Sequence, residues 1–287
     1  MLHHWHGTIH LIQQALAEDE AAYDPTSSLL PDDLTSEALM MPKADGVLAG
    51  VDVALAVFRE VDPGLETTVM VPDGSRVEKG MYVASIRGRM ASILRAERTA
   101  LNFVQRMSGI ATATAEFVKA VEGLPVQIID TRKTVPGFRL LDKYAVRMGG
   151  GHNHRMSTGD GVLIKDNHIA AMATRGESMT QLIKRAQSQV PHTIRIEVEC
   201  DTLEQVREAV DAGADIILFD NMTPDQMREG VDICRGRAMT EASGGITIDN
   251  VREVAEAGVD LLSSGSITHS TKALDISLEV RPDRPSS

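Results

Sequence analysis

From residue 126 onward the chain repeats one pattern: a short β-like apolar run, a polar or glycine stop, then in most cases a helix-like stretch. The runs are 126–130 (VQIID), 161–165 (GVLIK), 193–199 (TIRIEVE), 215–220 (DIILFD), 238–243 (AMTEAS) and 259–265 (VDLLSSG). Helix-like spacers, such as residues 203–212 and 224–234, separate them. A chain that returns through a helix enters each strand in the same direction, so repeated βα units make parallel strands. The pattern predicts an α/β domain, either a barrel or a doubly wound sheet.

The ends of these runs carry the functional signal. They are Asp130-Thr131-Arg132-Lys133, Lys165-Asp166, Glu199, Asp220-Asn221, Ser243-Gly244-Gly245 and Gly265-Ser266. In (β/α) barrels the carboxyl ends of all strands meet on one face, where active sites sit. One or two polar ends would mean only that loops are polar. Six, bearing Lys, Arg, Glu and Asp, favour a shared pocket.

The part before residue 126 reads differently, as mixed α+β. Residues 9–19 have helical apolar spacing, and 23–33 are turn-rich. Short β-like segments follow at 46–51, 67–71 and 81–86, punctuated by Asp73-Gly74 and Lys79-Gly80. The latter resembles a lipoyl-carrier hairpin only weakly, because Lys79 is not at an obvious tip, and it reads as a structural hairpin. Residues 91–120 predict a long helix, broken near Ser108-Gly109, with the domain boundary close by.

Composition excludes several classes. Aromatics are only 3% of the chain, so Ala, Val, Ile, Leu and the 14 Met must build the core. Cys200 and Cys234 are too few for a disulfide framework, which points to a reducing cytoplasm. No apolar run reaches membrane-spanning length, and the start lacks signal-peptide character. His3, His4, His6 and His10 read as a solvated N-terminal turn. A net charge of −12 argues against nucleic acid and membrane surfaces as partners. Within this acidic chain Arg132, Lys133, Arg139, Lys143, Arg147 and Arg155 face only Asp142. Such a basic island suits a small anionic ligand; a salt-bridged surface helix is the plain alternative.

Individual motifs narrow the chemistry. Arg132-Lys133 at a strand-to-loop turn suits a carboxylate or phosphate. Gly149-Gly150-Gly151 lets the backbone approach a ligand closely. His152-x-His154 lacks further metal ligands at useful spacing, which favours hydrogen bonding to substrate. Lys165, ending an apolar strand, could hold a phosphate or form a Schiff base. Glu197 and Glu199 alternate onto one strand face, and Glu199 with Asp220 makes a carboxylate pair for Mg²⁺ or ribose hydroxyls. The loops at Ser243-Gly244-Gly245 and Ser264-Gly265-Ser266 lie where many barrels bind phosphate.

Residues 97–103 (ERTALNF), 107–112 (MSGIAT), 131–156 (TRKTVPGFRLLDKYAVRMGGGHNHRM), 163–169 (LIKDNHI), 243–246 (SGGI) and 265–270 (GSITHS) together resemble the quinolinate phosphoribosyltransferase family. The resemblance covers residues 90–280 closely and the N-terminal part more loosely. It implies an N-terminal α/β sandwich over 1–110, an incomplete (β/α) barrel over 111–273 and a tail, 274–287, returning to the first domain. It also implies quinolinate and phosphoribosyl pyrophosphate as substrates, with Mg²⁺. The expected assembly is a homodimer with Arg98 reaching the neighbouring pocket. By matching position, Arg132, His154 and Arg155 would hold the quinolinate carboxylates, with Lys133 nearby as a catalytic residue and Thr131 as a further substrate-binding one. Lys165, Glu199 and Asp220 would engage the phosphoribosyl and pyrophosphate groups, with Glu199 and Asp220 at the metal. Ser243, Gly244, Gly245, Gly265, Ser266 and His269 would take the 5′-phosphate side. Two departures stand out: the long stretch 20–33 after the first helix, and Phe219 where an aliphatic is commoner.

The implied reaction requires no protein nucleophile. The pyridine nitrogen displaces pyrophosphate from the ribose anomeric carbon, and the resulting cationic ring stabilises the carbanion left by CO₂. Three rivals remain open on the residues: a paralogue with another acceptor, as in the molybdenum-operon relatives; a Schiff-base aldolase using Lys165; and a non-catalytic binding protein. Unused buried charges make the last costly.

Overall fold

The computed structural model describes residues 5–282, with side chains described over 7–281. In chain order the elements are α1 (Trp5–Glu18), β1 (Thr35–Pro42), β2 (Gly46–Val47), α2 (Val51–Val61), β3 (Glu66–Val69), β4 (Arg76–Val77), β5 (Ala84–Arg89) and α3 (Met90–Ala120). Then come β6 (Gln127–Ile129), α4 (Arg139–Met148), β7 (Val162–Ile164), α5 (Asp166–Ala173), α6 (Met179–Gln189), β8 (Ile196–Cys200) and α7 (Leu203–Ala212). The series closes with β9 (Ile216–Asp220), α8 (Pro224–Cys234), β10 (Met239–Ser243), α9 (Val251–Ala255), β11 (Leu261–Ser263), α10 (Ser266–His269) and β12 (Ile276–Pro282). They form two compact units. One comprises residues 1–115, 135–150 and 270–287; the other comprises 116–134 and 151–269. No described helix is long and apolar enough to cross a membrane.

The first unit holds a four-stranded antiparallel sheet in the order β12-β1-β5-β3. Along β1, Ser36, Ala38 and Met40 are fully buried, the period-two pattern of a strand with one face on a core. α2 packs Val51, Val53 and every residue from Ala54 to Phe58 inside. Its N-terminus is held by Asp73, whose carboxylate accepts the N–H groups of Gly50 (2.8 Å) and Val51 (3.0 Å) and the Tyr144 hydroxyl (2.8 Å). β2 and β4 form a small hairpin-like pair, and Lys79 N–H donates to Asp45 at its edge. The stretch after α1 is two short 3₁₀ turns organised by Asp24, which accepts from Thr26 and Ser27.

The expected break in the long helix is absent: α3 runs unbroken through Ser108-Gly109. Glycine lowers helix propensity, but here it serves packing. A Cβ on Gly109 would lie 2.2 Å from the Lys272 carbonyl oxygen, so only glycine lets these backbones meet. Ser108 is buried and its hydroxyl bonds Ala49 O at 3.1 Å. Further along the first unit, Arg106 grips the buried Asp142 with two bonds, at 3.0 and 2.8 Å. Its guanidinium lies 5.4 Å from the centre of the Phe138 ring, and that ring stacks on Phe103.

The second unit is an all-parallel sheet in the order β6-β11-β10-β9-β8-β7. Taken around a circle, that order is sequential, with one seam left unpaired between β6 and β7. This is the α/β architecture expected from the repeating pattern. His152 adds a single parallel bridge to Ile129. Three of the helices start with the same device. Ser178, Thr202 and Thr223 accept from the N–H of Gln181, Gln205 and Gln226, and each glutamine side chain bonds back. Phe219 is fully buried because Gly230 on α8 makes room; a Cβ there would come within 2.8 Å of the ring. Cys200 and Cys234 are both free and buried.

Candidate active site

Each parallel strand delivers its last inward residues to one cavity of about 610 Å³. β6 leads into Thr131, Arg132 and Lys133; β7 gives Leu163 and Lys165; β8 gives Glu199; β9 gives Leu218, Asp220 and Asn221. β10 gives Glu241, Ser243, Gly244 and Gly245, and β11 gives Ser263. His154 and Arg155 come from the loop before β7. Period-two alternation explains the pairs Leu163/Lys165, Leu218/Asp220 and Glu241/Ser243: each shares one strand face.

Asp130, fully buried at the end of β6, sets the His154 segment. It accepts the His154 main-chain N–H at 2.9 Å and the Asn153 amide at 2.6 Å. Arg155 donates to Gly161 O at 2.9 Å. Burial, and then the neighbouring Arg132 cation, lower its pKa from the ordinary arginine value. An anion between these two cations would relieve their repulsion. The stem of Lys133 lies over Gly265, where a Cβ would sit 2.8 Å from its Cδ. Thr268 bonds the Lys133 carbonyl at 2.8 Å. The two glycine loops are joined through Ser264, whose hydroxyl reaches Ile246 O at 3.0 Å and Ser266 Oγ at 2.7 Å.

Acidic groups complete the lining. Lys165 Nζ pairs with Glu199 Oε2. Burial raises the Asp220 pKa, and the carboxylates of Asp201 and Asp166 add to the shift while Lys165 and Lys133 oppose it. Beneath them His154 Nε2 lies 3.1 Å from Glu197 Oε2 and 3.6 Å from Glu241 Oε2. The donor atoms of these three residues fall within 4.8 Å of one another, a spacing that could hold a metal. The histidine tautomer argues otherwise. Nδ1 accepts the Arg155 N–H at 2.7 Å, which puts the proton of a neutral ring on Nε2, where it donates to Glu197; a metal there would have to displace it. Burial, and then Glu197, push the Glu241 carboxyl well above its usual range. A proton kept on Glu241 would let the two glutamates lie together. Glu199 and Asp220, on adjacent strand ends, offer hard oxygen donors that could also hold a divalent cation.

Of the residues singled out in the sequence, Thr131, Arg132, Lys133, His154, Arg155, Lys165, Glu199, Asp220, Ser243, Gly244 and Gly245 line this cavity. Gly265, Ser266 and His269 stand just behind it, against Lys133 and Ser264. Arg98 is exposed on α3 in the first unit and is not among the lining residues. The basic island divides: Arg132, Lys133 and Arg155 line the cavity, whereas Arg139, Lys143 and Arg147 belong to α4 in the first unit. Glu241 has no place among the sequence candidates, and Asn221 stands there only as the neighbour of Asp220 at a polar strand end, with no role of its own. The signal for Glu241 was a glutamate at the centre of an otherwise uncharged strand; for Asn221 it was its place after Asp220.

The chain matches the family models for the N-terminal domain (residues 24–108) and the C-terminal domain (residues 110–279) of quinolinate phosphoribosyl transferase. It is 42% identical over 270 residues to a probable nicotinate-nucleotide pyrophosphorylase [carboxylating] of Bacillus subtilis, covering 94% of this chain and 92% of that one. It is 41% identical over 287 residues to a mitochondrial quinolinate phosphoribosyltransferase [decarboxylating] of Nicotiana tabacum, covering 94% and 81%. Among solved structures, the nicotinate-nucleotide pyrophosphorylase of Francisella tularensis superposes with a TM-score of 0.90 at 37% identity, covering 96% of each chain. That of Ehrlichia chaffeensis gives 0.89 at 37%, covering 95% and 98%. On these matches, which span both units, the chain belongs to the quinolinate phosphoribosyl transferase family.

Proposed function

We propose that this chain transfers the phosphoribosyl group of phosphoribosyl pyrophosphate to quinolinate with loss of CO₂, giving nicotinate mononucleotide and pyrophosphate, a step of NAD biosynthesis. The observation that carries the reading is the composition of one cavity. Arg132, Lys133, Arg155 and Lys165 supply cations, Glu199 and Asp220 supply acceptors, and Ser243-Gly244-Gly245 supplies a backbone loop. Quinolinate brings two carboxylates and the sugar donor brings phosphates, so both substrates ask for cations with a few acceptors for hydroxyls.

The residues divide the work by chemistry. Arg132 and Arg155 repel one another until a dicarboxylate lies between them, which orients the pyridine nitrogen towards the sugar. That nitrogen bonds to the anomeric carbon as the carbon–pyrophosphate oxygen bond breaks. Lys133 and Lys165 offset charge on the departing oxygen, a preorganised electrostatic contribution. Glu199 and Asp220 balance the positive charge that develops on the ribose. The ring nitrogen is then cationic and accepts the electron pair left at C2 when the 2-carboxylate departs; a proton takes the place of CO₂. His154, its ring held by the Arg155 N–H and Glu197, gives the quinolinate side of the pocket a fixed wall.

Mg²⁺ suits the donor set. Asp220 keeps Oδ1 without a hydrogen-bond partner among the described residues, and burial, then the Asp201 carboxylate, raise its pKa, so a divalent cation beside it would favour the ionised form. Glu199 and Asp220 would hold the ion, with the remaining positions filled by water and pyrophosphate. When bound, Mg²⁺ neutralises charge on the leaving pyrophosphate. The homodimer, in which Arg98 serves the neighbouring pocket, rests on the resemblance carried by residues 97–103; Arg98 is exposed on α3 and outside the lining of this cavity. Cys200 and Cys234, both free thiols, are compatible with a reducing cytoplasm.

The test is a steady-state assay in which pyrophosphate release is followed with quinolinate, nicotinate and picolinate as acceptors. Turnover only with quinolinate supports the reading. Equal turnover with a monocarboxylate would point to a relative with a different acceptor.

A further inference from the structure

Asn221 joins two parts of the cavity that come from different strands. It follows Asp220 at the end of β9 with a left-handed backbone, φ 54°. Among the described residues other than glycine, only Glu20 shares a positive φ. Asparagine is one of the few side chains that tolerates this region, because its short amide can bond locally. In this conformation the Asn221 N–H still donates to Ser243 O at 3.3 Å, which ties the end of β9 to the start of the glycine loop.

The side chain has two ends with different neighbours. Nδ2 donates to Asp220 Oδ2 at 2.7 Å. A carboxylate only accepts, so the nitrogen end must face Asp220 and the oxygen end must face away. That oxygen lies against Gly244, where a Cβ would come within 2.3 Å of Asn221 Oδ1. Gly244 itself has φ 89°, so glycine is required there twice over. Asp220, Asn221 and Gly244 all line the cavity. With Oδ2 held by the amide, Asp220 Oδ1 is left without a hydrogen-bond partner among the described residues.

We propose that Asn221 is a positioning residue for phosphoribosyl pyrophosphate. Its amide fixes the rotation of the Asp220 carboxylate with Oδ1 available to the sugar end, while its oxygen end and left-handed backbone set the Gly244 loop beside it. This inference rests on the phosphoribosyl-transfer reading above. Quinolinate, held by Arg132 and Arg155 on other elements, should not sense the change.

Two variants separate positioning from folding. Asn221→Gly suits a positive φ better than asparagine does, so it should leave the melting temperature unchanged or raise it. Asn221→Asp keeps the shape and the tolerance of this backbone, but sets a carboxylate against Asp220. Loss of a hydrogen bond to a charged group corresponds to roughly ten- to hundredfold. We expect both variants to raise the KM for phosphoribosyl pyrophosphate by about tenfold or more, with the KM for quinolinate within about twofold. If Asn221→Gly saturates with phosphoribosyl pyrophosphate as wild type does, the inference is overturned. It is overturned equally if the two KM values rise together with a fall in melting temperature, since that is a folding effect. Wild type run alongside keeps the two failures apart: a wild-type protein that does not turn over these substrates overturns the reading itself.

Discussion

The main-chain N–H of Arg155 donates to Nδ1 of His154 at 2.7 Å, and this one bond decides which ring nitrogen carries the proton. Nε2–H then meets Glu197, with Glu241 just beyond. Two neighbouring buried glutamates would be costly if both were ionised, and burial, then Glu197, raise the Glu241 pKa well above the ordinary 4.5. A carboxyl whose pKa rises on folding adds stability that is full below 4.5 and is lost as pH climbs through the folded value. Glu241→Gln removes that loss. Its melting temperature should match or exceed wild type at pH 8, with the difference shrinking towards pH 5. A difference that is independent of pH, measured by thermal unfolding across this range, would count against a proton kept on Glu241.

Arg132 is exposed at the cavity mouth, beside the partly buried Arg155. If Arg132 holds a substrate carboxylate, Arg132→Ala should remove a charge-assisted bond worth about 1.5–3 kcal/mol in kcat/KM. The loss should fall on quinolinate far more than on phosphoribosyl pyrophosphate. Kinetics unchanged for both substrates would make Arg132 a surface cation.

Much of the second unit was legible because each signal was local. Apolar runs with polar ends gave six strands, and the chemistry at residues 131–133, 165, 199, 220 and 243–245 followed from their place after those runs. What was missed depended on distant partners. Glu241 looks like one polar residue in a strand until Glu197 and His154 are placed beside it. The basic island looked continuous because Arg139, Lys143 and Arg147 are near Arg132 in sequence, yet α4 belongs to the first unit. Gly109 was misread for the same reason.

At Gly109 the intrinsic preference and the packing point in opposite directions. Alanine is the better helix former by roughly 1 kcal/mol. A Cβ 2.2 Å from the Lys272 carbonyl oxygen must nevertheless displace backbone, since no flexible side chain is there to yield. Gly109→Ala should therefore destabilise by about 1–3 kcal/mol despite the propensity gain. Chemical denaturation measures the difference, and a stabilised variant would mean that α3 and the segment at Lys272 can part without cost.

If Arg98 serves the neighbouring pocket, activity needs the dimer. Arg98→Ala and Asp220→Ala should each be nearly inactive alone. Allowed to exchange subunits, they should form heterodimers with one pocket carrying both lesions and one carrying neither. Activity should then recover to about a quarter of wild type for random pairing in a two-fold dimer. No recovery despite verified exchange would place the role of Arg98 within its own subunit, or nowhere in the site.

The central claim joins two events in one cavity: transfer to the ring nitrogen and loss of the adjacent carboxylate. Quinolinate labelled in its 2-carboxylate, incubated with phosphoribosyl pyrophosphate and Mg²⁺, tests both at once. The account predicts one labelled CO₂ for each nicotinate mononucleotide formed, and none when phosphoribosyl pyrophosphate is omitted. Labelled CO₂ released without the sugar donor, or a nucleotide product that keeps the label, would contradict it.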